Sequence, residues 1–331
     1  MSIHDSGDVA PGASGSAAAG RGDHLRRVAG RGRRRRAAAR PSGGRGFAPL
    51  LFLTPAIVLF LLFFALPIGY TVYLSLRRTK VSGLGLGKGS RQEVWAGADN
   101  LTAAVADGEL WAGWLRVVGY GALVLVVMLG LALLFALLLD SAHARLARFS
   151  RIAIFLPYAV PGVVASLLWG FLYLPSLTPI GGVDFLGATA VTYSMANVAV
   201  WGGTGFNMLV LYTNLKAIPR SYYEAARIDG ASELAIALRV KIPLLVPAIV
   251  LTTVFSLIAT VQVFTEPTTL RPFSNTISST WSPLMKVYRD AFVTGDLYSA
   301  AATSLVIAAV SLVVSFGFLR VVRGRAFGEV R

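Results

Sequence analysis

Cysteine is absent from the 331 residues. That excludes disulfides and thiolate metal ligands. Histidine is nearly absent too: His4, His24 and His143 are the only three, and no spacing among them suits a metal. Charge is scarce. Only 14% of residues are charged and 55% are hydrophobic, whereas a soluble domain carries about a quarter charged residues. This deficit points to a polytopic membrane protein. Acids are the rarer sign, 16 against 31 basic residues. Within the apolar runs there is almost no charge; Asp140 and Glu266 fall at run ends. A secondary carrier coupled to protons or sodium needs an ionisable group inside the bilayer, so its absence argues for an external energy source. Catalytic sets are missing as well. Gly83, Gly85 and Gly87 precede Lys88, but Gly89 stands where a phosphate-binding loop needs Ser or Thr. That stretch reads as a flexible loop.

What is present is membrane. Residues 1–46 are rich in Gly, Ala, Ser and Arg, with a run from Arg33 to Arg36. Such a segment cannot bury a core and is expected to be disordered. It reads as a cytoplasmic arm held near anionic lipid rather than a nucleic-acid binder. Residues 47–331 hold six apolar runs, each near the roughly 20 residues needed to cross a bilayer. They are about Leu50–Leu76, Val117–Leu139, Ile152–Leu174, Ala196–Leu215, Leu244–Phe264 and Ala300–Val322. The fourth is the least apolar, since it contains Gly202, Gly203, Gly205, Asn207 and Asn214. Pro67, Pro157 and Pro161 lie in or near runs, where neighbouring helices can absorb the backbone groups they free. Twenty-two of the Lys and Arg residues fall in the two termini and in the 140–151 and 216–243 loops, against nine in the other loops. By the positive-inside rule both ends are cytoplasmic.

The segment Ser221–Pro247 is a polar, helix-forming loop between two apolar runs. Ser221 and Glu224 stand at capping-box spacing, after Pro219. Ala225 and Ala226 are strong helix formers of little bulk. Gly230 suits a left-handed helix C-cap. A second helix is expected from about Ser232 to Val240, stopping at Pro243. From composition alone this reads more readily as an amphipathic connector resting on the membrane than as a helix that enters a partner's groove.

Glu224-Ala225-Ala226, Asp229-Gly230-Ala231 and the ending at Pro243 resemble the EAA loop of permease subunits in binding-protein-dependent ABC importers. GFNMLVLYTNLKAIP from Gly205, FLPYAVPGVVASLLW from Phe155 and TPAIVLFLLFFALPIGYTVYLSL from Thr54 are similar to the carbohydrate-uptake, maltose-type branch. Two departures are Ala237, where that family often has a bulky aromatic, and FTEPTTLRPF from Phe264, where a Gly-Gly-Pro signature is common. The resemblance implies an all-α integral membrane fold of six transmembrane helices with a cytoplasmic coupling helix at about 216–243. It implies a bacterial plasma-membrane transport subunit, not an enzyme. The partners it implies are a second permease subunit, two ATPase subunits and an extracytoplasmic solute-binding protein, with no nucleic acid. This chain then holds no cofactor; ATP and magnesium sit on the partner ATPase. Glu224, Ala225, Ala226, Asp229, Gly230 and Pro243 become ATPase-coupling residues.

The pathway candidates are polar and uncharged. Asn207 and Asn214 share one face of the fourth run, seven residues apart; Ser256 and Thr260 are four apart in the fifth, with Gln262 nearby. Neutral hydrogen-bonding groups beside aromatics suit a sugar or oligosaccharide. Interhelical hydrogen bonds that hold the bundle are an equal reading of each residue singly. The alternative cargo is another small solute, such as a glycerol phosphate or a polyamine; a secondary carrier is the remaining alternative.

Overall fold

The computed structural model describes residues 48–81, 91–141, 146–178 and 180–326. The expectations for the Arg-rich tail, for His143 and for the glycine-rich stretch 83–89 lie outside the described residues. The chain divides into two compact units, Met1–Leu59 and Phe60–Arg331. The described part of the first lies within α1 (Ala48–Phe60), up to Leu59; its side chains from Leu51 to Leu59 are exposed.

In the second unit, a π turn over Leu61–Ala65 leads into α2 (Leu66–Ser75). A hairpin follows: β1 (Arg77–Val81) pairs antiparallel with β2 (Arg91–Trp95), with Arg77 opposite Trp95 and Thr79 opposite Glu93. Helix α3 (Asp99–Ala106) and the long α4 (Gly108–Asp140) come next. Then α5 (Ala147–Phe155), a 3-10 turn (Leu156–Ala159) and α6 (Gly162–Leu172) lead to α7 (Val191–Ala217). The loop helices α8 (Arg220–Ile228) and α9 (Glu233–Ile236) precede α10 (Ile242–Val261). Short helices α11 (Thr265–Leu270) and α12 (Pro283–Tyr288) precede α13 (Leu297–Ala326).

Among the described residues four helical stretches are long and apolar enough to cross a membrane: Leu51–Ser75, Gly108–Asp140, Glu233–Val261 and Leu297–Arg320. These occupy the first, second, fifth and sixth of the expected runs. The third run is not one straight span. Residues Ala147–Ala159 and Gly162–Leu172 meet at a 96° bend. The cause is local: Pro157 and Pro161 lack the N–H groups a helix needs, and Val160 before Pro161 is extended, with ψ 127°. The neighbouring helices do not absorb these prolines; the helix breaks instead. The fourth run lies within α7, whose 27 residues give about 40 Å of length. Its glycines and asparagines keep it below the apolarity of the other four.

Packing centres on α4. Ala132 and Ala136, both fully buried, pack with Met208, Leu211 and Leu215 of α7 and with Leu245 and Ala248 of α10. Small residues here let the helices approach closely. Gly205 of α7 marks the tightest crossing: a Cβ there would collide with the Ile154 carbonyl oxygen and lie 2.7 Å from Phe155 Cα.

At the hairpin end, charge fastens the segment between α10 and α13 to the head of α4. Asp107 caps α4, its Oδ1 accepting from the backbone N–H groups of Glu109 at 2.8 Å and Leu110 at 3.3 Å. Its Oδ2 pairs with Lys286 at 2.8 Å. Lys286 also pairs with Asp290 at 2.8 Å, and Arg289 joins Asp290 to Glu109, each at 2.9 Å. Partial burial pushes the Asp107 carboxyl up, but the Lys286 ammonium and the two backbone donors outweigh it and hold the group below its ordinary value. Arg116 donates to the Thr280 and Trp281 carbonyl oxygens, both at 3.0 Å.

Candidate functional site

Two places bring the singled-out residues together: the loop at one end of the bundle and a cavity in its middle.

Helix α8 stands out from the bundle. Glu224, Ala225, Asp229 and Gly230 are exposed and Ala226 is half-buried. Ile228, at the helix end, is 87% exposed, an apolar side chain with nothing covering it. The expected capping box does not form. Pro219 is the N-cap, with ψ 136° and no side-chain bond, so Ser221 lies inside the helix where its hydroxyl cannot cap. The C-terminal end does form as the residues suggest. Gly230 has φ +79°; its N–H donates to Arg227 O at 3.0 Å and the Ala231 N–H donates to Ala226 O at 2.9 Å. That pair of bonds is a Schellman cap, which needs the left-handed residue. Arg227 then reaches across the turn to Glu233 at 2.7 Å, and Ser232 Oγ caps α9 by accepting from the Ala235 N–H at 3.3 Å.

The second loop helix does not stop at Pro243. Helix runs unbroken from Glu233 to Val261. A π turn over Ala237–Lys241 absorbs the proline, because the wider turn leaves the Pro243 nitrogen without a required acceptor. Loop and membrane helix are therefore one rod.

Beneath α8 sits an ionic cluster that the sequence reading did not assemble. Asp140, at the end of α4, pairs with Lys241 at 2.7 Å and with Lys216 of α7 at 2.8 Å. The Asp140 and Lys241 side chains are only 6% and 8% exposed. The Lys241 ammonium also lies 5.0 Å from the centre of the Tyr223 ring, a cation–π contact that ties α8 to the cluster. Burial, reinforced by the Asp140 charge, raises the Tyr223 phenol above its ordinary value. The only sequence signal for this cluster is that all three charges stand at the ends of apolar runs.

The cavity encloses about 560 Å³ between α4, the bent pair, α7 and α10, within the range of small-molecule sites. Asn207, Ser256, Thr260 and Gln262 all line it. Asn214 does not: it is exposed, and its Nδ2 donates to Val210 O at 2.9 Å. The buried polar groups are largely engaged with each other. Ser256 Oγ donates to Asn207 Oδ1 at 3.3 Å, Asn207 Nδ2 donates to Gly203 O at 3.0 Å, and Thr260 Oγ1 donates to Ser256 O at 2.7 Å. The bundle-holding and cavity-lining readings thus coincide in the same residues. Aromatic walls come from Tyr120, Tyr158, Phe206, Phe255 and Phe264. The lining residue that sequence reasoning missed is Glu266, the one Asp, Glu, Lys, Arg or His on the wall among the described residues. It sits at the start of α11, where burial raises its carboxyl above the ordinary carboxylate value. The departure FTEPTTLRPF was the signal that could have found it.

Comparison with known proteins places this geometry. A family described as binding-protein-dependent transport system inner membrane component matches residues 128–326. The sn-glycerol-3-phosphate transport system permease protein UgpA of Salmonella typhimurium is 29% identical over 284 residues, covering 81% of this chain and 92% of that protein. Its counterpart from Escherichia coli O6:K15:H31 is 29% identical over 300 residues, covering 87% and 98%. Among solved structures, a bacterial ABC transporter involved in the import of the acidic polysaccharide alginate superposes with a TM-score of 0.70 at 20% identity, covering 84% of this chain and 96% of that one. The same fold recurs in a bacterial alginate ABC transporter in complex with an alginate pentasaccharide-bound periplasmic protein, with a TM-score of 0.71 at 19% identity and 85% and 96% coverage.

Proposed function

The chain belongs to the binding-protein-dependent transport system inner membrane components, and from that premise we propose that it forms one half of a sugar pathway. It is a multi-pass inner-membrane permease subunit of an ABC importer, a transport component rather than an enzyme. A second permease chain completes the pathway, and two ATPase subunits carrying ATP and magnesium dock on the loop helices. A solute-binding protein delivers cargo from outside. Counting the bent pair and α7 as one passage each gives six, with both ends and α8 cytoplasmic. The bias of Lys and Arg toward those loops supports this orientation. The Arg-rich tail meets anionic lipid.

One observation carries the coupling reading: α8 is exposed for docking, and the helix after Gly230 continues without interruption into α10, which lines the cavity. Glu224, Ala225, Ala226, Asp229 and Gly230 form the docking surface, and Pro243 lies on the rod that leaves it. The cargo reading rests on neutral hydrogen-bonding groups between aromatic walls. The solute in the name of the 29%-identical UgpA relatives makes sn-glycerol 3-phosphate the second reading.

The absence of cysteine permits a direct test. Tyr222→Cys, on α8, should react with a membrane-impermeant thiol reagent in inside-out vesicles and not in intact cells. Bound ATPase subunits should protect it. Labelling in intact cells would overturn the orientation, and labelling unaffected by the ATPase would overturn docking on this helix.

A further inference from the structure

We infer that Glu266 makes this permease's cavity selective against anionic solutes, so that its cargo is a polyhydroxylated molecule carrying no negative charge. The inference rests on the pathway reading above and narrows it.

The wall of the cavity carries one carboxyl group and no Lys, Arg or His among the described residues. An anion entering there meets a carboxylate and, from the described residues of this chain, no compensating cation. At cavity dimensions, beside aromatic walls, such repulsion is stronger than in bulk solvent. Glu266 also keeps capacity to act on a ligand. Asn207, Ser256 and Thr260 spend their hydrogen bonds on each other and on the α7 and α10 backbones. Among the described residues no salt bridge reaches Glu266. That leaves acceptor capacity on both oxygens. Burial disfavours a lone carboxylate, and a ligand that donates hydroxyl hydrogen bonds relieves the penalty. Sugar hydroxyls are such donors; a phosphate or uronate group is not. Gln262, exposed beside it, adds a neutral donor and acceptor. The ring faces of Tyr158 and Phe206, stacked at 5.0 Å, supply apolar surface of the kind that the C–H face of a sugar covers.

The test uses the full chain assembled with its partner permease and ATPases in membrane vesicles. Thr260→Cys, with Ser256→Cys as a second position, places the only thiol of this chain in the cavity. Each is reacted at mildly alkaline pH, where carboxyl and thiol both ionise, with the cationic trimethylammonium-ethyl and the anionic sulfonatoethyl methanethiosulfonates. The ratio of rates is normalised to the same ratio for a small free thiol. The cationic reagent should be favoured roughly tenfold, the lower end of electrostatic focusing in a cleft lined by one sign of charge. Adding Glu266→Gln should bring the ratio close to one, and Glu266→Lys should invert it. A ratio near one with Glu266 present, or a preference unchanged by Glu266→Gln, overturns the selectivity. Failure of both reagents to reach either position overturns the pathway reading itself, and the selectivity with it. Uptake of sn-glycerol 3-phosphate by vesicles holding the importer and its binding protein, above that of protein-free vesicles, likewise overturns the exclusion of anions.

Discussion

Replacing Asp140 by alanine is expected to lower the stability of the purified subunit by about 3–5 kcal/mol, the usual loss when one partner of a buried ion pair is removed. The Lys241 side chain is 8% exposed. Without Asp140 its buried ammonium keeps, among the described residues, only the Tyr223 ring close by, and a buried charge left without its counter-ion is costly. Lys216 reaches the same carboxylate from an exposed position, so Lys216→Ala should cost under about 1 kcal/mol, as surface pairs do. The double change Asp140→Leu with Lys241→Met should recover most of the loss, because well-packed apolar groups replace a buried pair at little cost. Unfolding of the three variants in detergent, followed by tryptophan fluorescence, distinguishes them. Equal, small losses for Asp140→Ala and Lys216→Ala would show that the cluster is solvated.

Gly230→Pro should leave the subunit inserted in the membrane and abolish its control of the ATPase. Proline fixes φ near −65°, whereas Gly230 sits at +79°, and proline has no N–H to give the Arg227 carbonyl. Gly230→Asp keeps the N–H but places a side chain in the left-handed region, at a cost of roughly 1 kcal/mol or more, and its loss of coupling should be partial. Glu224→Lys separates docking from folding. Glu224 is exposed and closes no capping box, and surface substitutions of that kind shift stability by about 0.5 kcal/mol or less. A large loss of ATPase pull-down in this variant therefore reports a broken contact with the ATPase. Stimulated ATP hydrolysis in vesicles is the second readout. Native pull-down and native stimulation in both Gly230→Pro and Glu224→Lys would reduce α8 to a plain connector.

The sequence made the membrane runs legible because a bilayer demands continuous apolar length, and α4, α10 and α13 stand where those runs do. Gly230 was legible because a left-handed cap has one favoured residue. The capping box at Ser221 was misread because Pro219 opens the helix two residues earlier. Pro243 was misread because a π turn can carry a helix past a proline, and nothing in residues 237–241 announces one. The 96° break needed knowledge of where the freed groups of Pro157 and Pro161 would go. The ion cluster was invisible for a simpler reason: Asp140 and Lys241 are 101 positions apart. Asn207 and Asn214 share a helix face by spacing, yet only the first reaches the cavity. Asn214 lies near the loop end of α7 and turns outward there, beyond the reach of a periodicity argument.

The unbroken helix from Glu233 to Val261 has a mechanical consequence. Its 29 residues make a rod of about 43 Å, with the Gly230 turn at one tip and Thr260 at the other. A tilt of roughly 10° about the loop tip carries the far tip by about 7 Å, as rod length times angle requires. A small rotation imposed at the loop is thereby carried to the cavity wall as a displacement of several ångströms by rod length alone, with no relay of side-chain contacts. Inserting a single residue in the rod would turn Ser256 and Thr260 by about 100°, so the angular phase of this shaft, more than the chemistry of its surface, sets what the cavity feels when the loop is pulled.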